Sequence, residues 1–417
     1  MMPNFRRMSH SSVYAGIALL LAAGGTLFGQ INLYVPNFNN APPNVSGFNI
    51  NASTGALTAV PGQPTTTTDN NPIRVAITPN GKFLYISNHN DQVDAYSVGP
   101  NGVLTTIQAV PGYAVAAPFG IVATNNYVYV ASSTGSIAVF SINQTTGALT
   151  ALTCSACSTG AGSTPQNIVL DPSGTYLYVA LPGTNAIGVG TIAQSGANAG
   201  TLTSFVNAYT GPASGSSAFT PEDLALTPSG HYLYASNYLG PPPGLGATYI
   251  TTFTVSGTTV TLGSNVTVGN SPNGLAIDAS GSCLYVANVG SGNVSAFTIG
   301  GSGGLTPVTG SPFASGSGSG SQPVGATVDP TNNFLYVSNQ GDGTVSGFRM
   351  ATSGPTPGAL TSLGAPTATG MRPYYLLAHL SPSSASVTVP AASTWSLMAL
   401  GILLAGMAGL LYRKAYR

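Results

Sequence analysis

Short runs of alternating apolar and polar residues, each bounded by Gly, Pro, Ser, Asn or Asp, follow one another through most of the chain. A proline opens an apolar run, a Pro/Ser/Gly cluster turns the chain, and an aromatic–Leu–Tyr–Val run follows. The copies read PIRVAITPNGKFLYIS from Pro72, PFGIVATNNYVYVA from Pro118, PQNIVLDPSGTYLYVA from Pro165, PEDLALTPSGHYLYAS from Pro221, PNGLAIDASGSCLYVA from Pro272 and PVGATVDPTNNFLYVS from Pro323. In five of them Pro and Tyr stand 13 residues apart; the Pro118 copy has a shorter turn. A third run follows each (VDAYSV from Val93, IAVFSI from Ile137, VSAFTI from Val294), and a Gly-x-Leu-Thr or Gly-Leu-Thr turn announces a fourth, as at Gly147 and Gly304. Period-two alternation between turn formers predicts half-buried strands. Four strands per repeat of 44–56 residues predict the blade of an all-β propeller.

The ends of the repeat region complement each other. Leu33-Tyr34-Val35 has no proline strand before it, and Pro373-Tyr374-Tyr375-Leu376-Leu377 has no Leu-Tyr-Val after it. Joined, they make one blade, and with six whole copies they predict a seven-bladed β-propeller closed by pairing of its N- and C-terminal strands. Closure removes free sheet edges from the ring. An open solenoid, built from shorter repeats with atypical caps, gains nothing from complementary half-repeats. Tyr34, Tyr85, Tyr129, Tyr178, Tyr234, Tyr285 and Tyr336 share one place in the repeat, which predicts packing between blades rather than a ligand belt. Asn37, Asn88, Asn237, Asn288 and Asn339 follow three residues later and are expected to bond the turn backbone.

Charge changes the picture in two ways. Charged residues form only 4% of the chain, against about 25% in ordinary soluble proteins, yet the strand-forming residues argue against disorder. Between Asp69 and Arg372 stand all nine acidic residues but only four basic ones, Arg74, Lys82, Arg349 and Arg372. No basic stripe is left for nucleic acid. The other basic residues sit at the two ends. Arg6 and Arg7 precede the apolar run Val13–Phe28, the layout of a signal peptide over residues 1–30. At the far end, Leu397–Leu411 is apolar, bordered by Trp395 and Tyr412 and followed by Arg413, Lys414 and Arg417. This is the pattern of a membrane helix with its basic end on the cytoplasmic side. Apolar helices are therefore expected at both termini, with the propeller over residues 31–388 and a sorting tail over 389–417.

That tail, with Val389-Pro390, Ser393-Thr394-Trp395, the span and the basic end, resembles the bacterial IPTL-CTERM and PEP-CTERM sorting signals. The resemblance implies an envelope sorting protease as partner and delivery to the bacterial cell envelope or surface. The blades, with Leu-Tyr-Val-Ala/Ser-Asn, Val-Ser-Ala-Phe and the Gly-x-Leu-Thr turn over about residues 31–388, resemble the YVTN and lactonase-type seven-bladed propellers. Some of those relatives hydrolyse sugar lactones such as 6-phosphogluconolactone. The resemblance carries no catalytic residue over, because no extended motif matches.

Candidate chemistry gathers where the innermost strands begin, beside the central channel. There stand Arg372, Tyr374 and Tyr375 on blade 1, Ile73 and Arg74 on blade 2, Gln166 and Asn167 on blade 4, Glu222 and Asp223 on blade 5, and Asn273 on blade 6. One reading has Arg74, Arg372, Tyr374, Gln166, Asn167 and Asn273 hold a sugar-like or anionic ligand while Glu222 or Asp223 serves as general base. The other is an Arg–carboxylate lock between blades. Cys154-Ser-Ala-Cys157 suits a local disulfide in an oxidising compartment, and Cys283 stands where other blades carry Phe or Tyr, as a buried hydrophobe. The scattered histidines make no metal set, and no cofactor motif is present. The function expected is an exported binding platform; the alternatives are an extracytoplasmic lactonase acting at the channel mouth and a structural matrix component.

Overall fold

The computed structural model describes residues 30–38, 42–67, 71–107, 112–212, 219–238 and 248–381. The expected terminal helices, the signal run and the sorting tail lie outside the described residues. Within them, the strands form seven sheets, the blades of an all-β propeller. Blade 2 shows the common order from the channel outward: Pro72–Ile77, Phe83–Asn88, Gln92–Val98 and Leu104–Thr106, all antiparallel. Among the described residues no helix is long and apolar enough to cross a membrane.

Blade 1 is the composite. Ile31–Asn37 pairs with Asn44–Ile50 on one side and with Leu377–Leu380 on the other, in the register Ile31 to Leu380 through Tyr34 to Leu377. A separate bridge joins Asn37 to Pro373. Regular pairing thus starts four residues later than the sequence pattern places it. The cause is common to the repeat: the register slips between the opening proline and the strand proper in blades 2, 3, 5, 6 and 7 as well.

The seven tyrosines lie at 0–1% exposure between blades. Burying each ring stabilises the fold by roughly 2–3 kcal/mol. Each ring in six of the blades also carries a hydrogen bond to the next blade. Tyr34 donates to the Gly102 carbonyl at 2.9 Å, Tyr85 to Gly147 at 2.8 Å, Tyr129 to Gly200 at 2.9 Å, Tyr178 to Gly257 at 2.9 Å, Tyr234 to Gly303 at 2.9 Å, and Tyr336 to Gly55 at 2.7 Å. The last of these closes the ring from blade 7 to blade 1. Gly147 shows why the acceptor is glycine: its φ is +74°, and a Cβ there would lie 2.3 Å from the Phe83 ring of the preceding blade. Blade 6 departs from the pattern. Its buried Tyr285 hydroxyl reaches no glycine carbonyl among the described residues and faces the Cys283 thiol, a weak sulfur partner; Cys283, buried and outside any disulfide, replaces the aromatic neighbour.

The asparagines are buried too, but Asn37, Asn237, Asn288 and Asn339 bond side chains of the third strand rather than the turn backbone, while the Asn88 amide has no partner among the described residues. Asn339 donates to Ser346 Oγ at 2.9 Å and Thr344 Oγ1 at 3.0 Å; Asn288 donates to Ser295 Oγ at 2.9 Å and Asn293 Oδ1 at 2.8 Å. The structure joins Cys154 and Cys157 in a disulfide, just before blade 4.

Candidate active site at the channel mouth

Five of the seven innermost strands reach the channel through a strained start. The residue before the opening proline has positive φ in five blades: Ala117 (42°), Thr164 (45°), Ser271 (52°), Gln322 (50°) and Arg372 (50°). Proline pushes its predecessor toward extended backbone, and a left-handed non-glycine residue costs about 1–3 kcal/mol. Capture of its carbonyl holds the conformation. Phe38 N–H donates to the Arg372 carbonyl at 3.0 Å, Ser133 N–H to Ala117 at 3.0 Å, Val289 N–H to Ser271 at 3.0 Å and Gln340 N–H to Gln322 at 3.0 Å. The bulge that follows re-aims the next two side chains, giving two rings of residues around the channel.

The first ring holds Tyr374, Ile73, Phe119, Gln166, Glu222, Asn273 and Val324, in blade order. Blades 7, 1, 2 and 3 supply its apolar and aromatic half; blades 4, 5 and 6 supply its polar half. Ile73, Phe119 and Val324 pack with Tyr375, flanked by Phe38 and Tyr374. The second ring holds Tyr375, Arg74, Gly120, Asn167, Asp223, Gly274 and Gly325. Its glycines sit where adjacent blades crowd: a Cβ on Gly120 would lie 2.3 Å from the Gln166 carbonyl oxygen, and one on Gly274 2.4 Å from that of Val324.

The remaining side chains of the second ring cross the channel. Arg74 Nη2 from blade 2 meets Asp223 Oδ1 from the opposite blade 5 at 2.9 Å, both buried. Asn167 also donates to Asp223 Oδ1, and Leu275 N–H donates to Oδ2 at 2.8 Å. Both carboxylate oxygens are thus held, as a buried charge requires. The Tyr375 ring stacks on Arg74, 3.3 Å from Cζ to its centroid, and its hydroxyl donates to Asn273 Oδ1. Arg74, Asn167, Asp223, Asn273 and Tyr375 therefore form one connected network. The Arg–carboxylate lock is present, and it engages Arg74.

Glu222 stands in the ring above that network. Burial raises its pKa to about 7; Arg74 pulls it down and Asp223 pushes it up. Burial, and next the Glu222 charge, also raise the phenols of Tyr374 and Tyr238, so both remain protonated donors near this carboxyl. Gln166 Oε1 is buried without a partner among the described residues. Arg372 is exposed at the rim, its guanidinium 5.9 Å from the Phe38 ring centroid, and Phe38 packs on Tyr374 at 5.6 Å. Arg372 and Arg74 both act on Tyr374 but occupy different depths. Sequence reasoning passed over Phe119, Val324 and Tyr238. The first two were findable, because they occupy the same place after the proline as Glu222 does. Tyr238 follows the second strand and carries no such positional mark. Among the described residues, no three His, Cys, Asp or Glu side chains gather as a metal site.

Solved structures share this fold. A periplasmic gluconolactonase of Pseudomonas aeruginosa superposes with a TM-score of 0.67 at 20% identity, over 85% of this chain and 100% of its own. A candidate 6-phosphogluconolactonase of Bacteroides fragilis gives 0.66 at 19% identity, over 85% and 99%. A protein from Lactobacillus plantarum gives 0.66 at 18% identity, over 84% and 99%. At these identities the likeness establishes the fold. No curated protein matches the chain in sequence. The family described as lactonase, 7-bladed β-propeller, matches residues 37–157 and 151–319, well over half of the chain, so the protein belongs to that lactonase family.

Proposed function

We propose that the channel mouth hydrolyses a sugar lactone, with Glu222 as general base. The observation that carries this is the one carboxyl of the first ring, poised near neutrality by burial, where a general base is most effective. In the ionised form Glu222 takes a proton from water as the water oxygen attacks the lactone carbonyl. The tetrahedral oxyanion is met by a phenol of Tyr374 or Tyr238. The bond from the carbonyl carbon to the ring oxygen then breaks, and that oxygen leaves with the proton returned by Glu222, giving the open hydroxy acid. Asn273 and Gln166 supply amide contacts to sugar hydroxyls, and Ile73, Phe119 and Val324 supply the apolar wall. Asp223, with both oxygens engaged, holds Arg74 in place and does not serve as base. Arg372 stands ready at the rim for an anionic substituent.

The test is hydrolysis of glucono-δ-lactone above its spontaneous rate. Glu222→Gln is expected to lower kcat about 10²–10⁴-fold with KM little changed. An unaltered rate would remove Glu222 from the mechanism. Saturable lactone binding without turnover would favour the interaction-platform reading, which the buried network bridging the channel also suits.

The protein is further proposed to work outside the cytoplasm, with residues 1–30 as signal peptide and 389–417 as a tail read by an envelope sorting protease. The basic and apolar blocks of both ends and the Cys154–Cys157 disulfide support this placement. Masses of the mature termini that match the full-length chain would exclude both cleavages.

A further inference from the structure

The outer edge of the ring is not uniform. In blades 1, 2, 6 and 7 the outermost strand is three residues long and gives way to a separate two-residue piece, as Leu305–Pro307 does to Phe313–Ala314. Short, broken edges are how sheets avoid pairing with other chains. Blades 4 and 5 differ. Their outermost strands, Leu202–Thr210 and Thr259–Thr267, run nine residues each and carry no charged residue.

Both strands are bulged at corresponding places. On blade 4 the register jumps from Asn207 to Tyr209, leaving Ala208 unpaired; on blade 5 Gly263 and Ser264 share one partner position, Thr252. Ser264 N–H donates to Thr252 Oγ1 at 2.9 Å and fixes the second bulge. Bulges re-aim side chains and gather beside functional sites. Here they border one cleft of about 150 Å³.

The lining of the cleft combines two chemistries. Its apolar part includes Tyr209, Phe219 and Leu262. Tyr209 is held edge-on by Phe219 at 5.2 Å and by Phe253 at 5.0 Å, so its half-buried ring is rigidly placed. Leu262 is 49% exposed, among the most exposed large apolar residues of the described chain. Its polar part includes Thr251, Ser264 and Asn265. Thr251 Oγ1 accepts from Asn237 Nδ2 at 3.0 Å and donates to Asn265 Oδ1 at 2.9 Å. That chain orients the Asn265 carboxamide through its oxygen and leaves its two N–H donors for a ligand.

We infer that this cleft is a second binding site, separate from the channel, and that it takes one neutral sugar ring. A pyranose has apolar C–H faces to lie on Tyr209 and Leu262 and equatorial hydroxyls for Asn265 and Ser264. A charged ligand would be desolvated here with no counter-charge. Pockets for drug-sized ligands run to about 300–1,000 Å³, so a cleft of about 150 Å³ admits a single ring: a free hexose or the terminal unit of a neutral glycan.

The experiment is saturation-transfer NMR on the full chain with glucose, galactose and mannose, followed by titration with the best of them and with its β-linked disaccharide. Ring C–H protons are expected to receive the strongest transfer. Asn265→Ala and Leu262→Asp change exposed positions and are each expected to weaken binding about tenfold or more, with glucono-δ-lactone hydrolysis unchanged. Tighter binding of the disaccharide would identify a glycan end as the source, and equal binding a free sugar. Absence of transfer from all three hexoses, or binding untouched by both substitutions, would overturn the assignment. Because the lactone readout reports on the channel alone, failure of one site leaves the other standing.

Discussion

At the seam between blades, six tyrosines place the same hydroxyl on the same glycine carbonyl at 2.7–2.9 Å. At the channel mouth, the seven residues that follow the opening prolines are Tyr, Ile, Phe, Gln, Glu, Asn and Val, no two alike. One repeat thus produces a repeated contact at one radius and an unrepeated surface at another. The difference follows from what each place must satisfy. A seam contact joins one blade to the next, so a solution that works once works around the ring. The mouth is where all blades converge on one small volume. Seven copies of a long side chain would collide there, and seven copies of one charge would repel. Glycines at three positions of the second ring relieve the crowding, and the positions left over are free to carry chemistry.

The sharpest way to break this contrast is to remove the lock across the channel. Asp223→Ala leaves Arg74 buried without its carboxylate and is expected to destabilise the fold by about 3–5 kcal/mol, measured by denaturant unfolding at pH 7. Replacing both partners at once, as Arg74→Met with Asp223→Leu, is expected to recover most of that loss, because no unpaired charge remains. If Asp223→Ala is nearly neutral, the mouth is not held by its ion pair.

A smaller effect separates Glu222 from the residues beneath it. Its pKa rises from 4.5 to about 7 on folding, chiefly through burial. A folded state that holds its proton more tightly than the unfolded chain loses stability as pH rises between those values. Well above pH 7 the ionised Glu222 therefore weighs against folding by roughly 3 kcal/mol. Glu222→Gln should be more stable than the parent protein by about that amount at pH 8 and equal to it near pH 4, by thermal unfolding. A variant that gains nothing at pH 8 would show that Glu222 is a solvated rim charge. Together with the expected loss of turnover, the gain would mark a residue kept for chemistry at the expense of stability.

The two radii also differ in how readable they were from sequence. Blade number, closure and the interblade place of the tyrosines followed from spacing alone, because symmetry repeats each signal seven times. The position of the mouth followed from the same spacing. Its connectivity did not: that Arg74 reaches Asp223 rather than a ligand depends on the diameter of the ring and the bulge after each proline, and neither leaves a local mark in composition. The tyrosine hydroxyls finding glycine carbonyls one blade on was equally hidden, although both residues were conspicuous. The cleft of blades 4 and 5 left no comparable mark: blade 4 carries the ordinary turn as Gly200-Thr201-Leu202-Thr203, and the length of the strand that follows it does not show in the repeat.

The finest comparison lies within the seam, where blade 6 breaks the rule that the others keep. Tyr85 donates to Gly147, so Tyr85→Phe removes a buried donor and leaves the carbonyl oxygen without it; the expected cost is about 1–2 kcal/mol. Tyr285 reaches no glycine carbonyl among the described residues; its hydroxyl faces the thiol of Cys283, a residue smaller than the aromatic ones in that place elsewhere. Tyr285→Phe removes a hydroxyl that has only a weak sulfur partner and is expected to cost well under about 1 kcal/mol. Matched denaturant melts of the two variants read the value of one seam hydrogen bond, since ring, burial and blade position are otherwise shared. Equal losses at both sites would mean that the hydroxyl of Tyr285 does find a partner in solution, and that the seam is uniform around the whole ring. A loss confined to Tyr85 would make the joint of blades 6 and 7 the weakest at this contact, leaving it to packing and to bonds elsewhere on the seam such as Ala279 N–H to Asn332 Oδ1.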